Sequence, residues 1–279
     1  MSNEKYLIAL DMDGTLLNSK KKISFLTRHY LKKLARNGHK IILASGRPSR
    51  SLKPYHKLLK LDTPMICYNG AYVFDPNDPN FKPRIFAFPK EIVKELTTKL
   101  EKYTANIMCE DDVNIWVDKE DKYLAKFFWY DNMDIIFGDL RKTLNKDPMT
   151  MIVQMRKEDE EAKKDIVNIC SKYEGLSARF WTGSPYFELY FVETSKGASI
   201  LDIASYYQIP QKNIIVFGDA ENDVEMINIA GYGVAMINGK TSVKEKAPII
   251  SLKSNDKDGI YHTLKKILKG EYISKNRFI

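Results

Sequence analysis

Cysteine and histidine are scarce in this chain of 279 residues, which has three of the first and four of the second. Cys67, Cys109 and Cys170 stand far apart and are odd in number. That excludes a disulfide framework and a thiolate zinc site, and it suits a reducing, cytoplasmic compartment. His29, His39, His56 and His262 are scattered too, so no imidazole metal cluster is visible. Long apolar runs are also missing. None approaches the ~20 residues that cross a bilayer, and "MSNEKYLIAL" lacks the apolar stretch of a signal peptide. No internal repeat or low-complexity tract stands out. The expectation is a cytoplasmic protein with no membrane partner. Its 44% hydrophobic content is enough for one large domain or two modest ones.

The net charge of +8 is unevenly placed: residues 84–188 are net acidic and the remainder is strongly basic. The lysines of the remainder are spread over predicted helices without interleaved aromatics, so solvated helix faces account for them and no nucleic-acid partner is expected. A bias toward anionic small molecules is consistent with the same charge.

What is present is a crowded pair of carboxylates. In "ALDMDGTLLNS" (residues 9–19), Asp11 and Asp13 stand two positions apart, with Gly14 and Thr15 behind them. Like charges this close call for a cation between them, or for a proton on one of them. A calcium loop fails, because its fifth, sixth and twelfth positions would be Thr15, Leu16 and Lys22. The pair follows the strand-length apolar run "YLIAL", and ligands of open parallel sheets bind beyond the carboxyl ends of strands.

Further along, "KKISFLTRHYLKKLARNG" reads as an amphipathic helix closed by Gly38. "HKIILASGRP" is a second strand ending in Ser45, Gly46 and Arg47, and "TPMICYNGAYVFD" is a third apolar run. This order predicts an α/β fold with a doubly wound parallel sheet. From Arg84 the texture changes. Helical "KEIVKELTTKLEKY", "KEDKYLAKFFWYDNM" and "EDEEAKKDIVNICSKY" alternate with the hairpins "ANIMCEDDVNIWVD" and "SARFWTGSPYFELYFVE" and the strand "MTMIVQMR". Residues 84–188 are therefore expected to be an inserted α+β domain. Residues 1–83 and 189–279 would form the core, which resumes with "TSKGASILDIASYYQIP", a helix with Thr194 or Ser195 as N-cap. In "NIIVFGDAENDVEMINIAG" the opening grammar recurs: strand, acidic turn, helix.

Asp11 and Asp13, Ser45, Lys196, and Asp219 with Asn222 and Asp223 thus fall at strand ends or helix starts that a parallel sheet can bring to one edge. Phosphoryl transfer needs such a set. A carboxylate can attack phosphorus to give an acyl phosphate. A divalent cation and a lysine offset the repulsion between anions, and a hydroxyl at a helix start suits phosphate oxygens. A second carboxyl, partly protonated, can serve the leaving oxygen and later the water.

In order and spacing, "DMDGTLL", "LASGRP", "SKG" and "GDAENDVEMINIAGYGVAM" resemble the four motifs of the haloacid dehalogenase superfamily of phosphatases. The closest likeness is to its Cof-type branch, which carries a large α/β cap between the second and third motifs. "CYNGAYVFD" and the tail "SVKEKAPIISLKSNDKDGIYHTLKKIL" extend it, while the cap matches by layout alone. The resemblance implies a Rossmann-like core, a Mg2+ cofactor and a small phosphorylated metabolite as partner, sugar phosphates foremost. It implies Asp11 as nucleophile and metal ligand, and Asp13 as general acid/base ligating through its backbone carbonyl. It further implies Ser45 and Lys196 on the phosphoryl group, Asp219 as metal ligand, and Asn222 near the phosphate. Asp223 would ligate the metal, orient its shell or Lys196, or simply start a helix. Gly46, Arg47, Asn69 and Gly70 lie beside the site in this branch; a surface cation and a tight turn are their purely structural alternatives. One departure is "FVETSKGAS", which stands where the branch commonly has Pro-x-Gly-Val before the lysine. A phosphohexomutase is the alternative activity, with Arg141, Lys142 and Arg179 as candidate anchors in the cap. A non-catalytic regulator has no need of the crowded pair. The hairpins around Glu110–Asp112 and Gly183–Tyr186 are candidate substrate contacts. Oligomeric state is not legible.

Overall fold

A computed structural model describes residues 4–120, 133–181 and 183–272. In chain order the strands are β1 (Leu7–Leu10), β2 (Lys40–Ala44), β3 (Met65–Cys67), β4 (Tyr72–Phe74), β5 (Arg84–Ile85), β6 (Thr104–Glu110) and β7 (Asn114–Val117). They continue with β8 (Asp134–Phe137), β9 (Thr150–Met155), β10 (Leu176–Phe180), β11 (Tyr186–Phe191), β12 (Ile214–Gly218), β13 (Tyr232–Ala235) and β14 (Ile249–Ile250). The helices are α1 (Phe25–Arg36), α2 (Ser49–Leu59), α3 (Lys90–Lys99), α4 (Leu140–Thr143), α5 (Glu160–Cys170), α6 (Lys196–Tyr206), α7 (Val224–Ile229), α8 (Thr241–Lys244) and α9 (Gly259–Ile267). The helix expected in "KEDKYLAKFFWYDNM" falls almost wholly outside the described residues.

The chain divides into two compact units, residues 1–84 with 195–279, and residues 85–194. The first contains an eight-stranded sheet ordered β14-β13-β12-β1-β2-β3-β4-β5. From β14 to β3 every neighbouring pair is parallel. The central strands are buried over their whole length, as strands covered on both faces must be. Ala9, Ile42, Ile66 and Val216 meet Ile200 and Ile203 of α6 and Met226 and Ile227 of α7 in one apolar cluster. The winding reverses at β1, which pairs with β2 on one side and β12 on the other. The carboxyl ends of β2, β1 and β12 therefore lie side by side at a topological switch point.

The sheet departs from pure parallel winding at "TPMICYNGAYVFD". That run is a hairpin: β3 and β4 are antiparallel, reversed by Tyr68, Asn69 and Gly70. All three have left-handed backbone, at φ 48°, 55° and 108°. Asn-Gly is the residue pair that tolerates this, so the turn signal was inside the run.

The second unit has a six-stranded sheet ordered β10-β11-β9-β6-β7-β8. It is antiparallel except where β8 runs parallel to β7. Alternate residues of its strands face opposite sides. Ile107, Cys109, Trp116, Met151, Val153, Phe187 and Leu189 pack with Val93 and Leu96 of α3, Leu140 of α4 and Ile166 of α5. Met108, Ile115, Val117 and Tyr186 cluster on the other side with Ile152 and Trp181. Tyr186, at the end of the hairpin read as a candidate substrate contact, is buried in this second cluster with Trp181 packed against it. A boundary after residue 188 would cut β11, whose Leu176↔Phe191 pairing with β10 continues past that point.

Candidate active site

The chemically useful side chains stand where strands of the parallel sheet end, or, for Lys196, where a helix of the same unit begins. Asp11 follows β1, and its N–H donates to Phe217 O of β12 at 3.0 Å, so the sheet ladder fixes its backbone. The chain then turns, with Leu16 N on Asp11 O at 3.1 Å and Leu17 N on Met12 O at 2.8 Å. Gly14 has φ +74°, and a Cβ there would lie 2.3 Å from Asp219 Oδ2. Only glycine lets this turn close on the acidic loop after β12.

Lys196 is the first residue of α6, whose N-cap Ser195 accepts from Ala198 N at 3.0 Å. The lysine is 1% exposed. Its Nζ donates to Asp11 Oδ1 at 2.6 Å and to Asp223 Oδ1 at 2.7 Å. The other oxygen of Asp223 accepts from Asp219 N at 2.9 Å and Ala220 N at 3.1 Å, so both ends of this carboxylate have donors. Thr15 Oγ1 donates to Asp219 Oδ1 at 3.1 Å. One oxygen from each of Asp11, Asp219 and Asp223 falls within 4.8 Å of the others.

Three carboxylates crowd together here and two of them bond one ammonium, and the titration of the groups reflects it. Burial, then the nearby Asp223, push the Asp11 carboxyl well above its usual range, against the pull of Lys196. Burial and Asp223 likewise raise Asp219 to about 6, against Thr15 and Lys196. Burial alone would lower Lys196, but Asp11 and Asp223 outweigh it and hold the ammonium charged. The cluster therefore carries more negative charge than its protein neighbours neutralise. Its donors are all hard oxygens, the set that suits Mg2+, and the residues present fit such an ion.

Asp13 departs from expectation. A partly protonated carboxyl is wanted for proton transfer, whereas Asp13 lies in a clamp of cations. Arg47 Nε donates to Oδ2 and Nη2 to Oδ1, each at 2.5 Å, and Lys21 Nζ reaches Oδ1 at 2.5 Å. Partial burial would raise its pKa, but the bonds from Arg47 and Lys21 prevail and lower it, keeping the group ionised. The raised carboxyls are those of Asp11 and Asp219 instead.

The second motif turns beyond β2. Ser45 N donates to Ile66 O at 2.9 Å, and Ser45 Oγ accepts from Arg47 N at 3.2 Å. Asn69 N donates to Ser45 O at 3.0 Å, and a Cβ on Gly46 would come 3.0 Å from Asn69 Nδ2. Asn222 Nδ2 donates to Asn69 Oδ1 at 2.9 Å. A Cβ on Gly70 would lie 2.5 Å from Ser195 O, which leaves no room for a larger residue.

The structure thus joins Asp11, Lys196 and Asp223, all buried, with the half-buried Asp219 in one cluster. Asp13 and Arg47 pair beside it, and Ser45, Gly46, Asn69 and Asn222 form a linked polar set. Arg141 and Arg179, the candidate cap anchors, are each paired with acids: Arg141 Nε lies 2.7 Å from Asp139 Oδ1 and Arg179 Nη1 2.9 Å from Glu188 Oε2. Two residues escaped the sequence reading. Lys21 sits in an undistinguished lysine run, and what aims it back is its left-handed φ of 54°. Asn238 donates from Nδ2 to Gly14 O at 2.8 Å, 224 residues away in sequence, with nothing in "MING" to announce it.

The sequence profile of the haloacid dehalogenase-like hydrolases matches residues 8–264. The chain belongs to this family. The haloacid dehalogenase-like chain is 33% identical over 268 residues to the 5-amino-6-(5-phospho-D-ribitylamino)uracil phosphatase YitU of Bacillus subtilis, covering 95% of this chain and 98% of that protein. It is 26% identical to the pyridoxal phosphate phosphatase YbhA of Escherichia coli, covering 88% and 92%. Among solved structures, a haloacid dehalogenase-like hydrolase from Bacteroides thetaiotaomicron superposes with a TM-score of 0.79 at 26% identity, over 95% of this chain and all of that one. A subclass IIB sugar phosphatase, BT4131, superposes with the same TM-score and identity over 94% and 98%. The chain is accordingly a hydrolase of phosphate monoesters, a phosphatase of phosphorylated small molecules. Among the described residues, no helix is long and apolar enough to cross a membrane.

Proposed function

We propose that the chain is a Mg2+-dependent phosphatase that hydrolyses small phosphorylated metabolites, polyhydroxylated sugar or alditol phosphates foremost, through an aspartyl-phosphate on Asp11. The observation that carries this reading is the cluster of Asp11, Asp219 and Asp223, with the Lys196 ammonium bonded to the first and the last. Asp11, Asp219 and the Asp13 carbonyl would hold the ion, which when bound offsets the charge of the phosphoryl group and keeps the attacking carboxylate ionised.

Asp11 then attacks phosphorus with one carboxylate oxygen. The P–O bond to the ester oxygen breaks, and the leaving alkoxide takes a proton from Asp13. Water opens the acyl phosphate, giving its proton to Asp13 and releasing inorganic phosphate. Lys196 stays within the nucleophile's reach and neutralises charge as it builds on the phosphoryl oxygens. Asp223 takes no part in bond changes; its two oxygens hold Lys196 and the backbone at Asp219 and Ala220. The Ser45 hydroxyl, the Gly46 N–H and the Asn222 amide supply donors for the remaining phosphoryl oxygens. Asp13 must be protonated to act as acid, so the incoming anionic ester has to draw Arg47 and Lys21 away from it.

The preference for polyol phosphates rests on relatives. YitU is a phosphatase of a phosphoribityl compound and BT4131 is a sugar phosphatase. Residues 85–194 are proposed as the cap that selects among these esters, a role consistent with a unit that has its own core. The test is phosphate release over a panel of sugar, alditol, nucleotide and pyridoxal phosphates, with and without Mg2+. Release only in the presence of a sugar bisphosphate activator would point to a mutase instead. No release from any ester would end the proposal.

A further inference from the structure

The loop between β3 and β4 is costlier than a reversal of direction requires. Tyr68 and Asn69 are non-glycine residues with φ 48° and 55°, and Gly70 follows at 108°. Left-handed backbone is unfavourable for any residue with a Cβ, asparagine being among the most tolerant. Such conformations persist when the surroundings over-determine them. Here the surroundings are the loops of the catalytic centre. Tyr68 N donates to Arg47 O at 3.2 Å and Asn69 N to Ser45 O at 3.0 Å, so two consecutive amides hold the residues on either side of Gly46. Asn69 Oδ1 accepts from Asn222 Nδ2 at 2.9 Å, reaching across to the loop after β12. Gly70 lies against Ser195 O, directly before Lys196. Asn69 itself is only 7% exposed.

We propose that Asn69 is a positioning residue: it locks the amide plane of Asn222 through its side chain and the Ser45–Arg47 turn through its backbone, rather than ligating the phosphoryl group itself. An amide that has spent one N–H on a fixed acceptor has its second N–H aimed in a fixed direction. A donor set that is already oriented needs no reorganisation when charge develops on the phosphoryl oxygens. The left-handed backbone is what lets one residue make both contacts. This inference rests on the phosphatase reading, but its test separates the two.

The test is a double-mutant cycle of Asn69→Gly and Asn222→Ala, with Asn69→Ala as a third variant that adds backbone strain. Glycine accepts the left-handed backbone without strain, so it removes the side-chain bond while sparing the fold. Three quantities are measured: melting temperature, kcat/KM for phosphate release with Mg2+, and the affinity for inorganic phosphate by calorimetry. Asn69→Gly is expected to melt no lower than the parent yet lose on the order of tenfold in kcat/KM, a scale set by lost orientation. The Asn69→Gly, Asn222→Ala double variant is expected to be no worse than the poorer single one, in both kcat/KM and phosphate affinity. Additive losses, or an Asn69→Gly protein with full kcat/KM and full phosphate affinity, overturn the proposal. If the parent hydrolyses no ester but binds phosphate, the phosphatase reading fails and the affinity cycle alone decides the positioning role. If it binds no phosphate either, both fail.

Discussion

Lys196 Nζ lies 2.6 Å from Asp11 Oδ1, with both residues buried and 185 positions apart in sequence. The ammonium also bonds Asp223, so it is held by two carboxylates and cannot swing away from the first. An ion pair taken out of water holds its shape only if each partner stays satisfied, and removing one member leaves an uncompensated buried charge. The same pair that builds the centre therefore makes it sensitive to small changes.

Asp11→Asn is the simplest of these. The replacement is nearly isosteric and keeps an acceptor for Lys196, so the fold should survive with a melting temperature close to the parent's. It removes the attacking oxygen and one proposed metal ligand, and loss of a covalent nucleophile costs several powers of ten. Retention of more than about a tenth of the parent rate would refute Asp11 as nucleophile.

Lys196→Met should do more harm, and the harm should depend on pH. Without the ammonium, Asp11 and Asp223 face each other buried, with only neutral donors. Their carboxyls then favour protons more strongly than in the unfolded chain. A group whose folded pKa is raised loses stability as pH rises from its unfolded value through its folded value. The expected result is a variant destabilised more at about pH 8 than at about pH 5, measured by denaturant unfolding of metal-free protein. Equal losses at the two values would mean that the lysine is not what balances these acids.

Metal binding should follow the same titrations. Asp219 is raised to about 6 and Asp11 is raised as well. Both must give up a proton before they can ligate. Mg2+ should raise the melting temperature clearly at about pH 7.5 and hardly at all at about pH 5. Ca2+ should bind but suppress turnover, since it takes more oxygen ligands at longer distances and can draw both nucleophile oxygens to itself. Full activity of chelated enzyme without added metal would overturn this account.

Much of this centre was legible in the sequence, because chemistry had been written into short segments. "DMDGT" sets both carboxylates and the glycine that lets the turn meet Asp219, and "GDAEND" sets Asp219 and Asp223 at the start of a helix. The sheet followed from buried runs alternating with helices. What could not be read were matters of backbone shape and long-range partnership. "TPMICYNGAYVFD" hid a hairpin, because its apolar residues continue on both sides of the Asn69-Gly70 reversal. The ionised state of Asp13 depends on Lys21 and Arg47, and only three-dimensional geometry says that both cations converge on it. Asp223 was open between ligand and helix start; the structure gives its oxygens to Lys196 and to two backbone amides. The end of the second unit is hard to read for a similar reason, since nothing in "YFELYFVE" marks where β11 stops pairing.

The clamp on Asp13 gives the last prediction. Lys21 is the looser of its two cations, its side chain 55% exposed against 8% for Arg47. It is nonetheless aimed: Lys21 N donates to Asn18 O at 2.9 Å and its own carbonyl accepts from Tyr55 Oη at 3.0 Å, around the left-handed φ. Both cations favour the ionised carboxyl, so removing either must raise the Asp13 pKa. As the general acid proposed above, Asp13 would work only when protonated, and its ionisation in the Mg2+-loaded free enzyme, where the ion holds Asp11 and Asp219 ionised, would set the alkaline limb of kcat/KM. Lys21→Met should therefore shift that limb to higher pH, while Arg47 still orients the carboxylate through its two bonds. The shift should be smaller than for Arg47→Met, because an exposed cation is screened by water and salt. The measurement is the pH dependence of kcat/KM in both variants and the parent, at constant ionic strength. An alkaline limb that stays put in both variants would mean that it belongs to another group and that Asp13 is not the acid. A limb that moves to lower pH would contradict the sign, and with it the assignment of these cations to Asp13.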